Sequence, residues 1–479
     1  MLIRNAEIGA ERGRRGVGDV RIDGAIVSGI GRLRPWPGEP VVDARGGALL
    51  PGLHDHHIHL AALATRASSV WCGPPDVADA QALSDRLSQA GGSGWIRAIG
   101  YHESVLGGLP AASELDRYVA DRPLRLQHRS GRMWLLNSMA LKTLLDGADP
   151  PHGLERDGHG FTGRLFDEDT WLRRALGGVP PDFSSISADL AACGVTGLTD
   201  MTPHNDPGMA RHFAAQIAGA ALKQNCAVAG TLALADAAPD GWTLGPAKLH
   251  LHEAALPEFG ETVAFVRSAH GQGRNVAVHC VSEVELVFAL AALEEAGASC
   301  GDRIEHASVA SLELVERIAA LGLAVCVQSH FVFERGDRYL AEVEPRHHPD
   351  LYRLRTLIDH GVPLAGGSDA PFGEADPWAA MRAATKRRTA VGQVMGPMEA
   401  LKPEQALALY LASPHDLVHR RKVEAGAAAD LVLLDRPWSQ ARERLVREDV
   451  ALTIIAGRVV HDRVDQPPVQ RLPGVETPA

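Results

Sequence analysis

The chain has 479 residues, of which 45% are hydrophobic and 22% charged, so extensive disorder is excluded. The formal net charge is −11, and the lack of a basic surplus argues against a nucleic-acid-binding protein. No apolar run of about eighteen residues is present, so no membrane-spanning helix is predicted. Because the first residues lack a secretory pattern, we expect a cytoplasmic protein, whose six unpaired cysteines are reduced.

Short strand-like runs occupy both ends of the chain. They are rich in β-branched residues and are separated by Gly and Pro, as in Leu2–Ile8, Val20–Ile22, Ala25–Ile30, Val41–Asp43, Ala429–Leu434 and Leu452–Val460. We therefore predict one small β-sandwich domain formed by residues 1–50 and 416–470. Residues 471–479, rich in Pro and Gln, are expected to form a loose tail.

Residues 51–415 alternate short apolar strands with amphipathic helices. The candidate strands are the run that ends at His57, followed by Leu124–Gln127, Val195–Thr199, Ala247–Leu251, Val276–Cys280, Arg303–His306, Ala324–Gln328 and Pro363–Gly366. Eight strands with helices between them predict an α/β fold, a (β/α)8 TIM barrel. A doubly wound sheet is the alternative, but no GxGxxG opens a helix. The long stretch 63–182 after the first strand is interpreted as an insertion, partly a lid.

The strongest local signal is the HxH pair formed by His57 and His59 in the run PGLHDHHIH. In a strand, residues i and i+2 point to the same side, so the two imidazoles are expected to lie side by side. Neutral imidazoles are good ligands for zinc-like metals. The flanking His54 and His56 are expected to point away from this pair and to be structural.

Four other candidate strands contain or end near a residue that binds metal or moves a proton: Lys248, His279, His306 and Asp369. Each one alone has an ordinary explanation, such as a hydrogen-bonded histidine or a helix-capping Asp. With the HxH pair they fall on strands one, four, five, six and eight of one barrel, whose active site gathers at the C-terminal strand ends. This combination predicts a shared site.

In this order of residues, the chain resembles the amidohydrolase superfamily, and in detail its YtcJ-type branch, amidohydrolase family 3. The resemblance covers nearly the whole chain and includes residues 51–59, 94–101, 137–141, 162–166, 194–196, 303–306, 367–371 and 424–432.

The resemblance implies a metal-dependent hydrolase that cleaves amide, cyclic amide or N-acyl C–N bonds in a small molecule. Two divalent ions, expected to be zinc, would be bound by His57, His59, His279 and His306, with a carboxylated Lys248 bridging them. Asp369 would be both ligand and proton shuttle while a metal-bridged hydroxide attacks the carbonyl.

Several positions depart from the pattern of the branch or extend the predicted site. Arg132 stands where the branch has a histidine, which leads to the hypothesis that the substrate carries an acidic group near this cation. Gln328 and His330, which end the seventh strand, are predicted substrate contacts. If Lys248 is not carboxylated, His250 is the alternative ligand.

Other functions use the same fold. A mononuclear deaminase of a heterocyclic amine and a lactonase are alternatives, as is a non-catalytic barrel that acts as a scaffold. Lys248 counts against the deaminase, and the filled ligand positions count against the scaffold. A homodimer is the expected assembly. No nucleic-acid or membrane partner is expected.

Overall fold

The computed structural model describes residues 1–13, 16–147, 149–158, 160–178 and 180–464. The predicted tail, 471–479, and the last residues of the predicted sandwich domain lie outside them. The chain divides into two compact units. One contains Met1–Leu63 and the residues from Asp182 onward, and the other is Ala64–Pro181.

The first unit contains an eight-stranded parallel sheet in which each strand pairs with the next along the chain. The fold is the predicted TIM barrel. Its strands, in chain order and named here the first to eighth barrel strands, are Leu53–Ile58, Val195–Asp200, Asn225–Gly230, Trp242–His250, Val276–Cys280, Arg303–His306, Ala324–Val327 and Leu364–Gly366.

The ends of the first and eighth barrel strands meet. The N–H of Asp369 donates to the carbonyl of His57 at 2.6 Å, and the N–H of His59 donates to the carbonyl of Ala370 at 2.8 Å. A Cβ atom on Gly367 would lie 2.5 Å from the Cβ atom of His57, so only glycine permits this approach. The barrel closure thereby brings the HxH strand against the segment that carries Asp369.

Helices alternate with the barrel strands and begin at identifiable caps. Asp206 accepts a hydrogen bond from the N–H of Met209, and Ser282 with Glu285 forms a capping box. The α-helices are Leu60–Ala67, Ser184–Ala192, Pro207–Ala218, Phe259–Gly271, Glu283–Ala296, Leu312–Ala320, Phe331–Glu334, Gly336–Glu342, Leu354–Asp359, Pro377–Lys386, Pro403–Ala408 and Trp438–Arg444. Short 3-10 helices are Ala10–Arg12, Leu232–Asp236, Glu253–Ala255, Pro345–Asp350, Pro397–Glu399 and Arg447–Asp449.

Two strand assignments made from the sequence are wrong. Leu124–His128 is a strand, but it belongs to a sheet of the other unit rather than to the barrel. The barrel strand Asn225–Gly230 was missed because its small residues give little β signal. The two errors cancel, so Lys248 does lie on the fourth barrel strand, whereas Val195–Asp200 is the second barrel strand rather than the third.

Both chain ends contribute to a separate eight-stranded sheet, which forms the predicted small sandwich. Its strands are Leu2–Ile8, Gly16–Asp23, Ile26–Gly31, Val41–Asp43, Ala48–Pro51, Leu431–Leu434, Val450–Ile455 and Arg458–Asp462. The antiparallel pairing of Leu433 with Leu49 joins the two ends of the chain. Side chains from both ends share one apolar core, which includes Ile3, Val20, Leu431 and Leu452.

The unit Ala64–Pro181 is built around a six-stranded sheet. Its strands are Val70–Trp71, Ile96–Tyr101, Leu124–His128, Met133–Leu136, Leu154–Asp157 and Gly160–Phe166, and its helices are Ala80–Ser88, the 3-10 turn Glu103–Val105, Ala112–Leu115, Ser138–Leu144 and Asp169–Ala175. Asn137 accepts from the N–H of Ala140 and donates to two backbone carbonyls, so the side chain that opens the segment 137–141 has a structural role. Among the described residues, no helix is both long and apolar enough to cross a membrane.

Candidate metal centre

The two histidines of the HxH pair converge on one carboxylate. His57 Nε2 lies 3.3 Å from Asp369 Oδ1, and His59 Nε2 lies 3.0 Å from the same oxygen. Burial alone would raise the pKa of Asp369. The hydrogen bonds from His57 and His59 lower it by a larger amount, so the net shift is downward and the carboxylate is ionised. The first and eighth barrel strands thus provide three potential ligands in one place.

The histidines of the fifth and sixth barrel strands complete the cluster. The rings of His306 and His57 have centroids 4.9 Å apart, and those of His306 and His279 are 4.4 Å apart. One potential ligand atom from each of His57, His306 and Asp369 lies within 4.8 Å of the others. Burial lowers the pKa of His306 to about 3, so this imidazole is neutral and able to act as a ligand.

Lys248, on the fourth barrel strand, is only 5% exposed. Its Nζ atom is buried and has no hydrogen-bond partner among the described residues. Burial lowers the pKa of this amine, while the charge of Glu305 opposes that effect. A buried amine without a partner is unfavourable unless its charge or its chemistry changes.

A carboxylate lies behind His57. Glu305 Oε2 is 2.5 Å from His57 Nδ1, and Glu305 Oε1 accepts from the guanidinium of Arg303. Burial alone would raise the pKa of Glu305. Nearby positive charge, chiefly that of Arg303, lowers the pKa by a larger amount, so Glu305 stays ionised. The carboxylate accepts a hydrogen bond from the Nδ1–H of His57, so Nε2 is the nitrogen of this ring that faces Asp369 and could bind a cation.

A similar arrangement orients His306. Gln328 Oε1 lies 2.7 Å from His306 Nδ1, so that nitrogen carries the proton and donates it to the amide oxygen. His306 Nε2 is buried and has no hydrogen-bond partner in the described part of the chain. The free lone pair therefore points into the cluster.

Two members of the cluster have unusual backbone conformations. His306 has φ 72° and Asp369 has φ 52°, both in the left-handed region that non-glycine residues rarely adopt. Such strain persists only where the surrounding structure enforces it, and it concentrates at functional sites. These backbone conformations therefore help to direct the side chains of His306 and Asp369 into the cluster.

The chemistry of the donor set fits a divalent metal. Histidines, a carboxylate and an amine that has no hydrogen-bond partner in the described part of the chain converge, and two of the histidines have hydrogen-bond acceptors behind them, as metal-binding imidazoles usually do. His57, His59, His279, His306 and Asp369 could each offer a ligand atom, and Lys248 could do so after carboxylation. Glu305 is the member that the sequence analysis missed. The available signal was the pair of charged residues, Arg303 and Glu305, in a short strand of the predicted barrel that ends at His306.

The other predicted residues lie as follows. His330 Nε2 donates to the carbonyl of Ser368 at 2.9 Å, and its buried Nδ1 has no partner within the described residues. Burial lowers the pKa of His330 to about 4. His250 stacks on His279 with centroids 4.2 Å apart. Arg132, in the unit Ala64–Pro181, is exposed and paired with Asp167.

The histidines that flank the HxH pair are buried. His54 Nε2 lies 2.9 Å from the hydroxyl of Thr199. The ring of His56 lies 4.5 Å from that of His54, and neither of its nitrogens has a partner among the described residues. Burial lowers the pKa of both far below its ordinary value, so both rings are neutral.

Comparisons with known proteins agree with this geometry. A family model described as "Amidohydrolase family" matches residues 40–461. The "Putative amidohydrolase YtcJ" of Bacillus subtilis (strain 168) is 25% identical over 517 aligned residues, which cover 93% of this chain and 96% of that protein. The N-substituted formamide deformylase of Arthrobacter pascens is 25% identical, over 89% of this chain and 91% of that protein.

A solved structure shares the fold. An uncharacterized metal-dependent hydrolase from Pyrococcus furiosus superposes with a TM-score of 0.75 at 23% identity, over 91% of this chain and 98% of that one. The family match spans most of the chain and contains every residue of the cluster. The chain therefore belongs to the amidohydrolase family and is an enzyme, an amidohydrolase acting on carbon–nitrogen bonds other than peptide bonds.

Proposed function

We propose that this amidohydrolase cleaves the C–N bond of a small amide, cyclic amide or N-acyl compound. The cluster would hold two divalent ions, and zinc is the proposed metal. The observation that carries the proposal is the buried Nζ atom of Lys248, which has no hydrogen-bond partner within the described residues and lies close enough to lower the pKa of His279 and His306 by its charge. The name of the Arthrobacter pascens relative, a deformylase of N-substituted formamides, supports the N-acyl class.

Carboxylation gives Lys248 a role that fits its surroundings. The free ammonium is a poor ligand and is costly to bury without a partner. Carbon dioxide converts the amine to an anionic carbamate, which has two oxygens and can span two cations. The burial that lowers the pKa of Lys248 also favours the neutral amine that reacts with carbon dioxide. A deaminase with a single ion has no comparable need for this lysine.

Divalent ions held by His57, His59, His279, His306 and the carbamate would supply Lewis acidity that polarises a carbonyl and lowers the pKa of water. The chain supplies the proton transfer. Asp369 is ionised and lies at hydrogen-bonding distance from the HxH pair, so it can accept a proton from the attacking water. The water oxygen bonds to the carbonyl carbon, the C–N bond breaks, and the proton passes from Asp369 to the departing nitrogen.

The remaining predicted residues are assigned to substrate binding. The buried Nδ1 of His330 and the amide nitrogen of Gln328 have no partners among the described residues, so each has hydrogen-bonding capacity left for a substrate. Arg132 remains the proposed contact for an acidic substituent. A homodimer remains the proposed assembly.

The first test counts metal in protein produced with zinc and bicarbonate. We expect about two ions per wild-type chain and fewer in Lys248→Ala. Lys223→Ala, outside the cluster, is the control and should keep the wild-type count. Carbon-13 bicarbonate should give a carbamate NMR signal in the wild type but not in Lys248→Ala. One ion per chain, unaffected by Lys248→Ala, would overturn the proposed centre.

The second test follows the products. With N-acyl amines and cyclic amides as substrates, we expect release of a carboxylate together with an amine, or ring opening to the amino acid. Release of ammonia from a ring amine without any carboxylate would favour the deaminase. Hydrolysis of lactones alone would favour the lactonase.

A further inference from the structure

Phe372 follows Asp369 by three residues and presents an aromatic ring at the metal centre. Its ring centroid lies 5.6 Å from that of His59, and the two planes meet at 85°. The side chain is 60% exposed. Single exposed apolar residues are common on protein surfaces. This one differs because it adjoins the imidazole of a proposed ligand.

The backbone around Phe372 is held on both sides. Its N–H donates to the carbonyl of Asp369 at 2.8 Å, and its carbonyl accepts from the guanidinium of Arg335. Arg335 in turn lies over the ring of buried Phe331, with Cζ 3.8 Å from the ring centroid. A Cβ atom on Gly373 would meet His330 Nε2 at 2.2 Å, so the next residue is also closely packed. The backbone that carries the ring is therefore held in place beside His59.

An exposed aromatic ring fixed beside the reacting centre has a direct use. A hydrocarbon group attached near the scissile bond would pack on it and lose contact with water. Binding energy from such a remote group also helps to orient the carbonyl. A methyl substituent is too small to cover a ring, whereas a phenyl group matches it in size.

We propose that Phe372 is the specificity-determining residue of the centre, and that it selects substrates whose scissile C–N bond carries an aromatic or large aliphatic substituent. This inference rests on the proposed function, because it takes the cluster around His59 as the place where the C–N bond is cleaved. It adds the chemical class of the substituent, which the proposed function leaves open.

The test measures binding rather than turnover. Zinc-loaded full-length protein is titrated with benzylphosphonate and with methylphosphonate, two metal-binding anions that differ by one phenyl group. We expect the wild type to bind benzylphosphonate about tenfold or more tightly than methylphosphonate. In Phe372→Ala this ratio should fall by about tenfold, and Phe372→Leu, which keeps an apolar side chain, should lie between the two.

Phe259→Ala is the matched control. Phe259 is 39% exposed on the helix Phe259–Gly271, where its ring contacts Phe288 of the next helix at 5.7 Å. This variant removes another exposed phenyl group, from the outer helices rather than from beside His59, and should keep the wild-type ratio. Zinc content is measured in every variant, so that a change in the metal centre is not mistaken for a change in recognition.

Three outcomes would overturn the role of Phe372: a wild-type ratio near one, a ratio that survives Phe372→Ala, or no binding of benzylphosphonate to the zinc-loaded wild type. Failure of the proposed function looks different. In that case the zinc-loaded protein shows the ratio and its dependence on Phe372 but releases no amine from any N-acyl compound.

Discussion

His57 Nδ1 lies 2.5 Å from Glu305 Oε2, and both side chains are fully buried. The contact joins the first barrel strand to the sixth and fixes which nitrogen of His57 carries the proton. Burial and the charge of Lys248 lower the pKa of His57, but Glu305 and the hydrogen bond to Asp369 raise it by more, so a cation that binds Nε2 has to displace a proton from it. Glu305 is in turn held by Arg303. The geometry of the centre therefore depends on residues beyond the proposed ligands.

Replacing Glu305 by Gln tests this dependence. We expect zinc affinity to fall by about 10- to 100-fold, because the amide keeps a hydrogen-bond acceptor but loses the charge that makes the imidazole a better ligand. The measurement is a competition titration with a chelator, accompanied by thermal unfolding to confirm that the variant is folded. The control is Glu294→Gln, which removes a carboxylate from an exposed pair with Arg317. Wild-type zinc affinity in Glu305→Gln would contradict the role of the carboxylate.

Gln328 is open to two interpretations that one variant separates. The sequence predicts a substrate contact, whereas the hydrogen bond to His306 Nδ1 indicates that it orients a ligand. We expect Gln328→Ala to weaken zinc binding by about tenfold or more. Gln328→Glu, which keeps the acceptor, should retain most of it. Gln224→Ala removes another buried glutamine, whose oxygen accepts from Ser187, and serves as the control. An increase in KM with unchanged zinc affinity would instead favour the substrate contact.

The sequence predicted the barrel, and it placed the histidines, Lys248 and Asp369 at or near strand ends, because strand alternation and strand-end position depend on local patterns. It misplaced one strand because Leu124–His128 has the right local pattern but pairs in another sheet. It could not predict the contact between Glu305 and His57, which are 248 residues apart in the chain. It also gave no sign of Phe372, since an exposed phenylalanine in a loop has no distinguishing pattern. Contacts of this kind are set by tertiary packing.

The cysteines give a test of burial that is independent of metal. Five of the six are buried, and Cys300 is exposed. Burial raises the pKa of Cys72 to about 12, so almost none of this thiol is ionised near pH 8, and a thiol reagent needs the thiolate. We expect Ellman's reagent to modify one thiol rapidly in the folded protein, none rapidly in Cys300→Ser, and all six in the denatured wild type. Rapid modification of a second thiol in the folded wild type would contradict the described packing.

Arg132 binds Asp167 through two hydrogen bonds, at 2.8 Å from Nε and 2.7 Å from Nη2, and both side chains are largely exposed. If Arg132 binds an acidic substituent, the substrate must replace this carboxylate or share the guanidinium with it. Asp167→Asn removes the competing charge and should raise kcat/KM for acidic substrates relative to neutral ones by several-fold, whereas Arg132→His should lower that ratio. An exposed pair contributes about 0–1 kcal/mol to stability, so both variants should unfold near the wild-type temperature. An unchanged preference between charged and neutral substrates in both variants would rule out Arg132 as the acidic-group contact.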